Sequence, residues 1–319
     1  MVANVKEREK FASLEPLKTL DLPERFGPKE QGKVCDIWHF DGLIILVRTD
    51  RLSAFDRIIG HIPGRGALLN LQSSFWFENT KDIIDNHVIA VPHPRVTIAK
   101  ECEPTFPVEM VVRGYITGST DTSLWVNYGK GLDPYGLNLP SGLKKNQKLP
   151  DPVVTPTTKG EYGEHDVPLT KEECLKRWGE EYEWVEKKAL VLYVRGSEIC
   201  ERQDLILADT KYELREKLLT DEVHTPDSSR FWDKDDWQRS FVEGRDPREK
   251  SKEHARKFLR SQGYSGEGEP PPLPTEIVKQ TLQEYIEVYE RITGKRFELA
   301  PDISSPSATA AAIEDFFPA

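Results

Sequence analysis

With 319 residues, 37% of them hydrophobic and 31% charged, the chain has material for one large or two ordinary domains, and it is not a globally disordered polymer. The formal net charge of −10 disfavours non-specific nucleic-acid binding, which requires a surplus of Lys and Arg. No apolar run approaches the ~20 residues of a membrane helix, and the charged start MVANVKEREKF has neither a signal-peptide core nor transit-peptide character.

Residues 1–30 are polar and punctuated by Pro16, Pro23 and Pro28, which predicts a loosely packed extension. KVCDIWHF and LIILVRTD flank Asp41-Gly42, a strong signal for a type I′ hairpin. Leu68, Leu71 and Phe75 recur at helical spacing within 66–79, and VIAV (88–91) and VEMVVR (108–113) read as strands. The stretch 129–168, dense in Gly, Pro and Lys, predicts a long loop region. Thr170 and Glu173 form a capping box, and Val185, Ala189, Leu192, Gly196 and Ile199 then mark one buried helical stripe. LILADTKYEL (205–214) predicts a strand with LLTDEVH (218–224) as its hairpin partner. PPPLP (270–274) is a stiff connector into an amphipathic helix over 275–293, and 298–319 reads as a tail. Cys35, Cys102, Cys174 and Cys200 lie far apart without CxxC or Cys/His clustering, which predicts reduced thiols in the cytoplasm rather than zinc or disulfides.

Side chains alternate faces along a strand, so LADTKYE places Asp209, Lys211 and Glu213 on one side. A three-residue turn at 215–217 pairs Lys211 with Asp221 and brings Asp221 to the same face; a turn one residue shorter or longer does the opposite. Two carboxylates beside a lysine suit Mg2+, and a solvated face of alternating charge suits the same pattern. TPDSSR (225–230) crowds hydroxyls, Asp227 and Arg230 into one loop, either a phosphate grip or a capped turn. In PVEMVVRGYITGS (107–119) an apolar strand ends at Arg113 with Gly114 and Gly118-Ser119 after it, an anion site or an ordinary turn. Gly32-Lys33 alone is a weak nucleotide signal. TDRLSAFD (49–56) fits a structural turn or a substrate loop, and TPTTKGEYGEHD (155–166) fits a solvated or a site-lining loop. His165 within it reads as an incidental polar residue, and no Ser/His/Asp spacing points to a hydrolase.

In this order, PVEMVVRGYITGS and LADTKYE, supported by TDRLSAF, SGLKKNQKLP, TPTTK, GEHD and TPDSSRFW, resemble the SAICAR synthetase family from about Gly32 to Trp232. The resemblance implies an α+β, two-lobed fold: an N-terminal antiparallel-sheet ATP lobe (31–115), a larger C-terminal α/β lobe (116–297) for substrate and metal, and a cleft between them. It also implies phosphoribosylaminoimidazole-succinocarboxamide synthase activity in de novo purine biosynthesis. That reaction joins CAIR and L-aspartate with ATP to give SAICAR, ADP and phosphate, through an acyl phosphate. By the same resemblance, Gly32, Lys33, Val34 and Glu109 meet ATP, while Arg113, Ser119, Asp227, Ser229 and Arg230 meet the other substrates. Glu213 and Asp221 hold Mg2+, and Lys211, Asp209 and Asp166 are catalytic. The implied partners are small molecules, with no nucleic acid or membrane. Two departures from the pattern stand out: Cys35 stands where the family commonly has Arg, and Leu214-Arg215 replaces Phe-Gly after Glu213. A small-molecule kinase or a nucleotide-binding protein without activity would share the outline, and aspartate dependence separates them.

Overall fold

The computed structural model describes residues 14–55, 57–103, 106–120, 122–158, 167–298 and 301–318. In the first half of the chain the strands are β1 (Glu30–Gln31), β2 (Cys35–Phe40), β3 (Leu43–Arg48), β4 (Arg51–Ala54), β5 (Arg57–His61), β6 (Val88–His93) and β7 (Val96–Lys100), with helix α1 (Arg65–Asn79) after β5. They make an antiparallel sheet in the order β1-β2-β3-β7-β6 and a separate β4-β5 pair. Asp41 and Gly42 both adopt positive φ (54° and 71°), as a two-residue I′ turn requires.

One face of this sheet is covered by segments expected to be loose. Leu17, Leu20 and Phe26 are buried against Trp38, Ile45, Val47 and Ile98, and the Leu17 and Leu20 amides donate to Asp50 and Asp36 at 2.8 Å each. Residues expected as a tail also dock here. Helix Pro306–Phe316 is capped by Ser305 and buries Ile313, and the Phe317 ring lies 5.1 Å from that of Phe40. The reason is that a sheet face needs covering. Each full burial of such a side chain contributes about 1.5–3 kcal/mol, so a few anchors hold a segment whose composition is otherwise polar.

The second half begins with β8 (Val108–Tyr115), helix α2 (Leu124–Gly129) and β9 (Lys148–Thr158). Helix α3 (Lys171–Glu201) follows, then β10 (Leu205–Arg215), β11 (Leu218–Thr220) and β12 (Ser229–Asp233). Helices α4 (Lys234–Glu243), α5 (Glu253–Ser261), α6 (Thr275–Thr293) and α7 (Pro306–Phe316) complete the chain. The second sheet is antiparallel, β11-β10-β8-β9, with β12 also on β10. Strand β8, the last element of 31–115, therefore hydrogen-bonds into the sheet built by later residues.

Strand β9 corrects the expected loop over 129–168: it pairs with β8 from Thr158 to Lys148 despite Pro150, Pro152 and Pro156. It is an edge strand, where a missing N–H on the open side costs no ladder bond. The expected capping box is present, since Thr170 and Glu173 exchange bonds in both directions. Behind it Val185, Ala189, Leu192 and Gly196 of α3 face the sheet, with Ile199 partly buried beside them. Helix α6 occupies the expected 275–293 and buries Leu282, Tyr285 and Tyr289 against α1 and α5, with Ile292 in the core under the second sheet. No described helix is long and apolar enough to cross a membrane.

Candidate active site

Strand register builds the centre of the site. Asp209 on β10 lies opposite Arg113 of β8 and Arg230 of β12, and directly opposed residues of antiparallel strands project to the same face. Asp209 Oδ2 accepts from Arg113 Nη1 at 3.0 Å and from Arg230 Nη1, making a carboxylate clamped between two guanidiniums. Arg113 is fixed further by Thr155 Oγ1 at 2.9 Å.

Two residues along the same face, Lys211 Nζ meets Glu109 Oε1 at 2.7 Å and Glu213 Oε1 at 3.0 Å. The alternation of Asp209, Lys211 and Glu213 holds, with Thr210, Tyr212 and Leu214 buried on the opposite side. Burial would lower the Lys211 pKa, but Glu213, Glu109 and Asp221 outweigh it and hold the ammonium well above the usual lysine range. Those carboxylates favour the ammonium form of Lys211.

Asp221 reaches this neighbourhood by a route other than the one expected. The turn is two residues, Glu216-Lys217, with φ of 49° and 62°, so Glu213 faces Thr220 and Leu214 faces Leu219. The pairing of Lys211 with Asp221 is thus corrected by one residue, and continued strand parity would have sent Asp221 to the wrong face. Instead β11 stops at Thr220, Asp221 turns out with φ 61°, and Arg48 Nη2 holds both its carbonyl (2.9 Å) and its Oδ1 (3.0 Å). Arg48 lies opposite Cys35 in the first sheet, where burial pushes the Cys35 thiol up to about 11.

The next segment carries Asp227, whose carboxylate accepts from Arg65, from Tyr285 Oη at 2.6 Å and from Lys252 Nζ at 3.4 Å. Burial works against its charge, yet Arg65 and Lys252 hold its pKa well below the carboxylate range. Between Asp221 and Asp227, burial and those two neighbours push the Glu222 carboxyl up to about 7. Asp209, Asp227, Ser229 and Arg230 line one polar cavity of about 150 Å3, together with Lys252 and Arg256. The Ser229 hydroxyl is itself engaged, donating to Thr210 Oγ1 at 2.8 Å.

Gly32, Lys33 and Val34 form the bend between β1 and β2. Val34 O accepts from Thr49 N and Oγ1, and Arg51 holds the other two carbonyls. Ser119 is exposed in the bend after β8. Asp166, with Lys159, Glu164 and His165, lies outside the described residues. Among the described residues, no group of three or more His, Cys, Asp or Glu side chains gathers in metal-ligating geometry. The two carboxylates Glu213 and Asp221 nevertheless fit Mg2+, which takes oxygen donors only and commonly needs just one or two from the protein.

The family model for SAICAR synthetase matches residues 29–271, well over half of the chain. The chain belongs to the SAICAR synthetase family. It is 46% identical over 283 residues to the phosphoribosylaminoimidazole-succinocarboxamide synthase of Legionella pneumophila (strain Lens), spanning 85% of this chain and 89% of that protein. The SAICAR-synthase of Saccharomyces cerevisiae, solved complexed with SAICAR, superposes with a TM-score of 0.75 at 30% identity, covering 88% of this chain and 99% of that one. A SAICAR synthetase solved in complex with ADP shares the fold at 23% identity, with a TM-score of 0.64 over 85% of this chain and 100% of its own. The chain is therefore an enzyme, a ligase of purine biosynthesis.

Sequence reasoning about this family member missed Arg48, Arg65, Glu222, Lys252 and Arg256. Arg48 ends an apolar strand much as Arg113 does, and that signal was available. Lys252 and Arg256 sit one helical turn apart, a spacing that places both on one face. For Arg65 no local pattern exists; only α1 packing beside the Asp227 loop gives it a role.

Proposed function

We propose that the enzyme joins L-aspartate to the carboxylate of CAIR, consuming ATP and giving SAICAR, ADP and phosphate. The Arg113–Asp209–Arg230 row beside the Lys211 cluster carries this reading. It sets fixed cations for a phosphorylated substrate next to acidic groups for a metal-bound nucleotide. Relatives solved with SAICAR and with ADP support the two halves. In this reading 31–115 and 116–297 act as two lobes, ATP lying along the first and the ribonucleotide and aspartate along the second. All four cysteines are free thiols, which suits the reducing cytoplasm.

A carboxylate resists attack because its leaving group would be oxide. A CAIR carboxylate oxygen therefore attacks the γ-phosphorus of ATP, the bond from that phosphorus to ADP breaks, and an acyl phosphate forms. The deprotonated aspartate amine then attacks the acyl carbon, the carbon–oxygen bond to phosphate breaks, and the proton shed by the new amide nitrogen leaves with the phosphate. Arg113, Arg230, Ser119 and Ser229 bind the ribonucleotide phosphate side, with Asp209 keeping both guanidiniums in register. Asp227 orients the neighbouring substrate through its fixed charge, and Asp166 is proposed to join it. Gly32, Lys33 and Val34 lie over the ATP phosphates, with Glu109 near the nucleotide. Lys211, always protonated, offsets the negative charge that spreads over the transferring oxygens. Mg2+ held by Glu213 and Asp221 would add charge neutralisation at the same phosphates. Fixing three ligands in line supplies much of the barrier reduction.

A three-substrate assay tests this directly. Product with the succinocarboxamide group should form only when CAIR, L-aspartate and ATP are all present. ADP release that ignores aspartate would instead identify a kinase.

A further inference from the structure

A single buried arginine stands behind the loop proposed to cover the ATP phosphates. The side chain of Arg51, the first residue of β4, is 2% exposed. Its guanidinium donates to Gly32 O at 3.0 Å, Lys33 O at 3.1 Å, Lys18 O at 2.7 Å and Asp36 Oδ1 at 2.8 Å. Asp36 is fully buried and held in turn by Leu20 N and Thr19 Oγ1, both at 2.8 Å, so the counter-ion cannot move. The main chain of Arg51 is pinned too, because its carbonyl accepts from Arg65 Nη1 at 2.6 Å.

In a planar trans peptide the C=O and the N–H point in opposite directions. No cis peptide occurs among the described residues. The carbonyls of Gly32 and Lys33 both point at Arg51, so the N–H groups sharing those planes, Lys33 N–H and Val34 N–H, are aimed away from it. Successive N–H groups turned to one side make a concavity suited to anions. Only a planar fork of five donors reaches two adjacent carbonyls, a third carbonyl and a carboxylate at once; an ammonium on a flexible stem does not.

We propose that Arg51 is a positioning residue that aims the Lys33 and Val34 amides at the nucleotide phosphates. The inference rests on the ATP reading above and adds the group that shapes that loop. Arg51→Lys keeps a cation for Asp36 while removing the fork. Its Kd for ADP by calorimetry and its KM for ATP should both rise about tenfold or more, the scale of losing well-directed charged-group bonding. Its KM for CAIR should stay within about twofold, since the Asp209 row is untouched. Arg95→Lys is the control. It disturbs an equally buried pair with Asp50, so it should lower stability while leaving the ATP KM alone.

An Arg51→Lys protein that is folded by circular dichroism yet binds ADP as the wild type does overturns the proposal. So does an equal rise in the KM of every substrate, which marks a merely structural role. Should Arg51→Lys not fold, the wild type decides by amide NMR: the Lys33 and Val34 signals must both shift when ADP is added, and two unmoved signals end the idea. Wild-type protein that binds no ADP and makes no product strikes the functional reading itself, whereas normal wild-type binding with an unaffected variant strikes only Arg51.

Discussion

The Asp209 row and the Asp227 loop are both carboxylates held by basic side chains, yet they are held in different ways. Arg113, Asp209 and Arg230 are neighbours on three adjacent strands, and hydrogen-bond register alone sets them side by side. Asp227 is fixed instead by Arg65 of α1, Tyr285 of α6 and Lys252 before α5, three groups brought together only by helix packing. The row also keeps some access to solvent through Arg230, 21% exposed, while Arg65 on the loop side is 1% exposed. A strand-built site should therefore tolerate the loss of one member better than a packing-built one.

The largest effect separates the two directly. Asp227→Ala leaves the Arg65 guanidinium buried without its counter-charge, a change that costs about 3–5 kcal/mol. Asp209→Ala should cost somewhat less: it strands Arg113, 7% exposed, but leaves the second partner, Arg230, able to turn toward water. Urea denaturation of both variants checks the order, and equal losses would erase the distinction drawn here.

Next in size is Lys211→Met, which removes a fixed cation at the transferring phosphate. Turnover should fall about 10²–10³-fold, the usual cost of one well-placed charge-stabilising donor. Because Lys211 stays protonated throughout, the wild-type kcat profile between about pH 6 and 9 should show no ionisation that disappears in this variant. A lost limb in the Lys211→Met profile would make it a base after all.

Asp221→Asn tests the half-exposed carboxylate, 35% exposed, that Arg48 holds. Turnover should drop at least about tenfold while stability falls by about 1–3 kcal/mol at most, because the largely buried Arg48 keeps its bond to the Asp221 carbonyl. Near-normal turnover at saturating Mg2+ would remove Asp221 from the metal assignment.

The last test is a pH dependence of stability. Burial lowers the pKa of His87 to about 4 and of His224 to about 3, from an ordinary 6.5. Below 6.5 the unfolded chain binds more protons than the folded one, so stability is complete above that value and declines as pH falls from 6.5 toward 4 and 3. The urea midpoint should decline over this window, more shallowly in His87→Gln; an identical slope in both proteins would contradict a buried neutral His87. Asp227 acts at lower pH: with its pKa held below the ordinary range, its contribution is full above about 4 and is lost on further acidification.

How much of this was legible in the sequence follows from the same contrast. The alternation of Asp209, Lys211 and Glu213 was readable because strand geometry sends every second side chain to one face, whatever surrounds it. The Asp41-Gly42 hairpin, the Thr170–Glu173 cap and helix 275–293 were readable for a similar reason, each depending on interactions within a few residues. Asp221 was placed in the right neighbourhood by a wrong register, since the two-residue turn at Glu216-Lys217 contains no glycine to announce it.

By itself, then, the sequence determined a set of local pieces: the Asp41-Gly42 hairpin, the Thr170–Glu173 cap, the helix over 275–293 and the charged face of 205–214, and through its ordered motifs the family. The tertiary structure alone decided that β9 is a strand, that Leu17, Leu20 and Phe26 and the helix at 306–316 close over the first sheet, and that Arg48 holds Asp221 while Arg65 and Lys252 hold Asp227. The physical reason is range. Turns, caps and side-chain alternation are settled over a few bonds. Burial of an edge strand, a covering segment or a counter-ion depends on what the rest of the chain brings beside it.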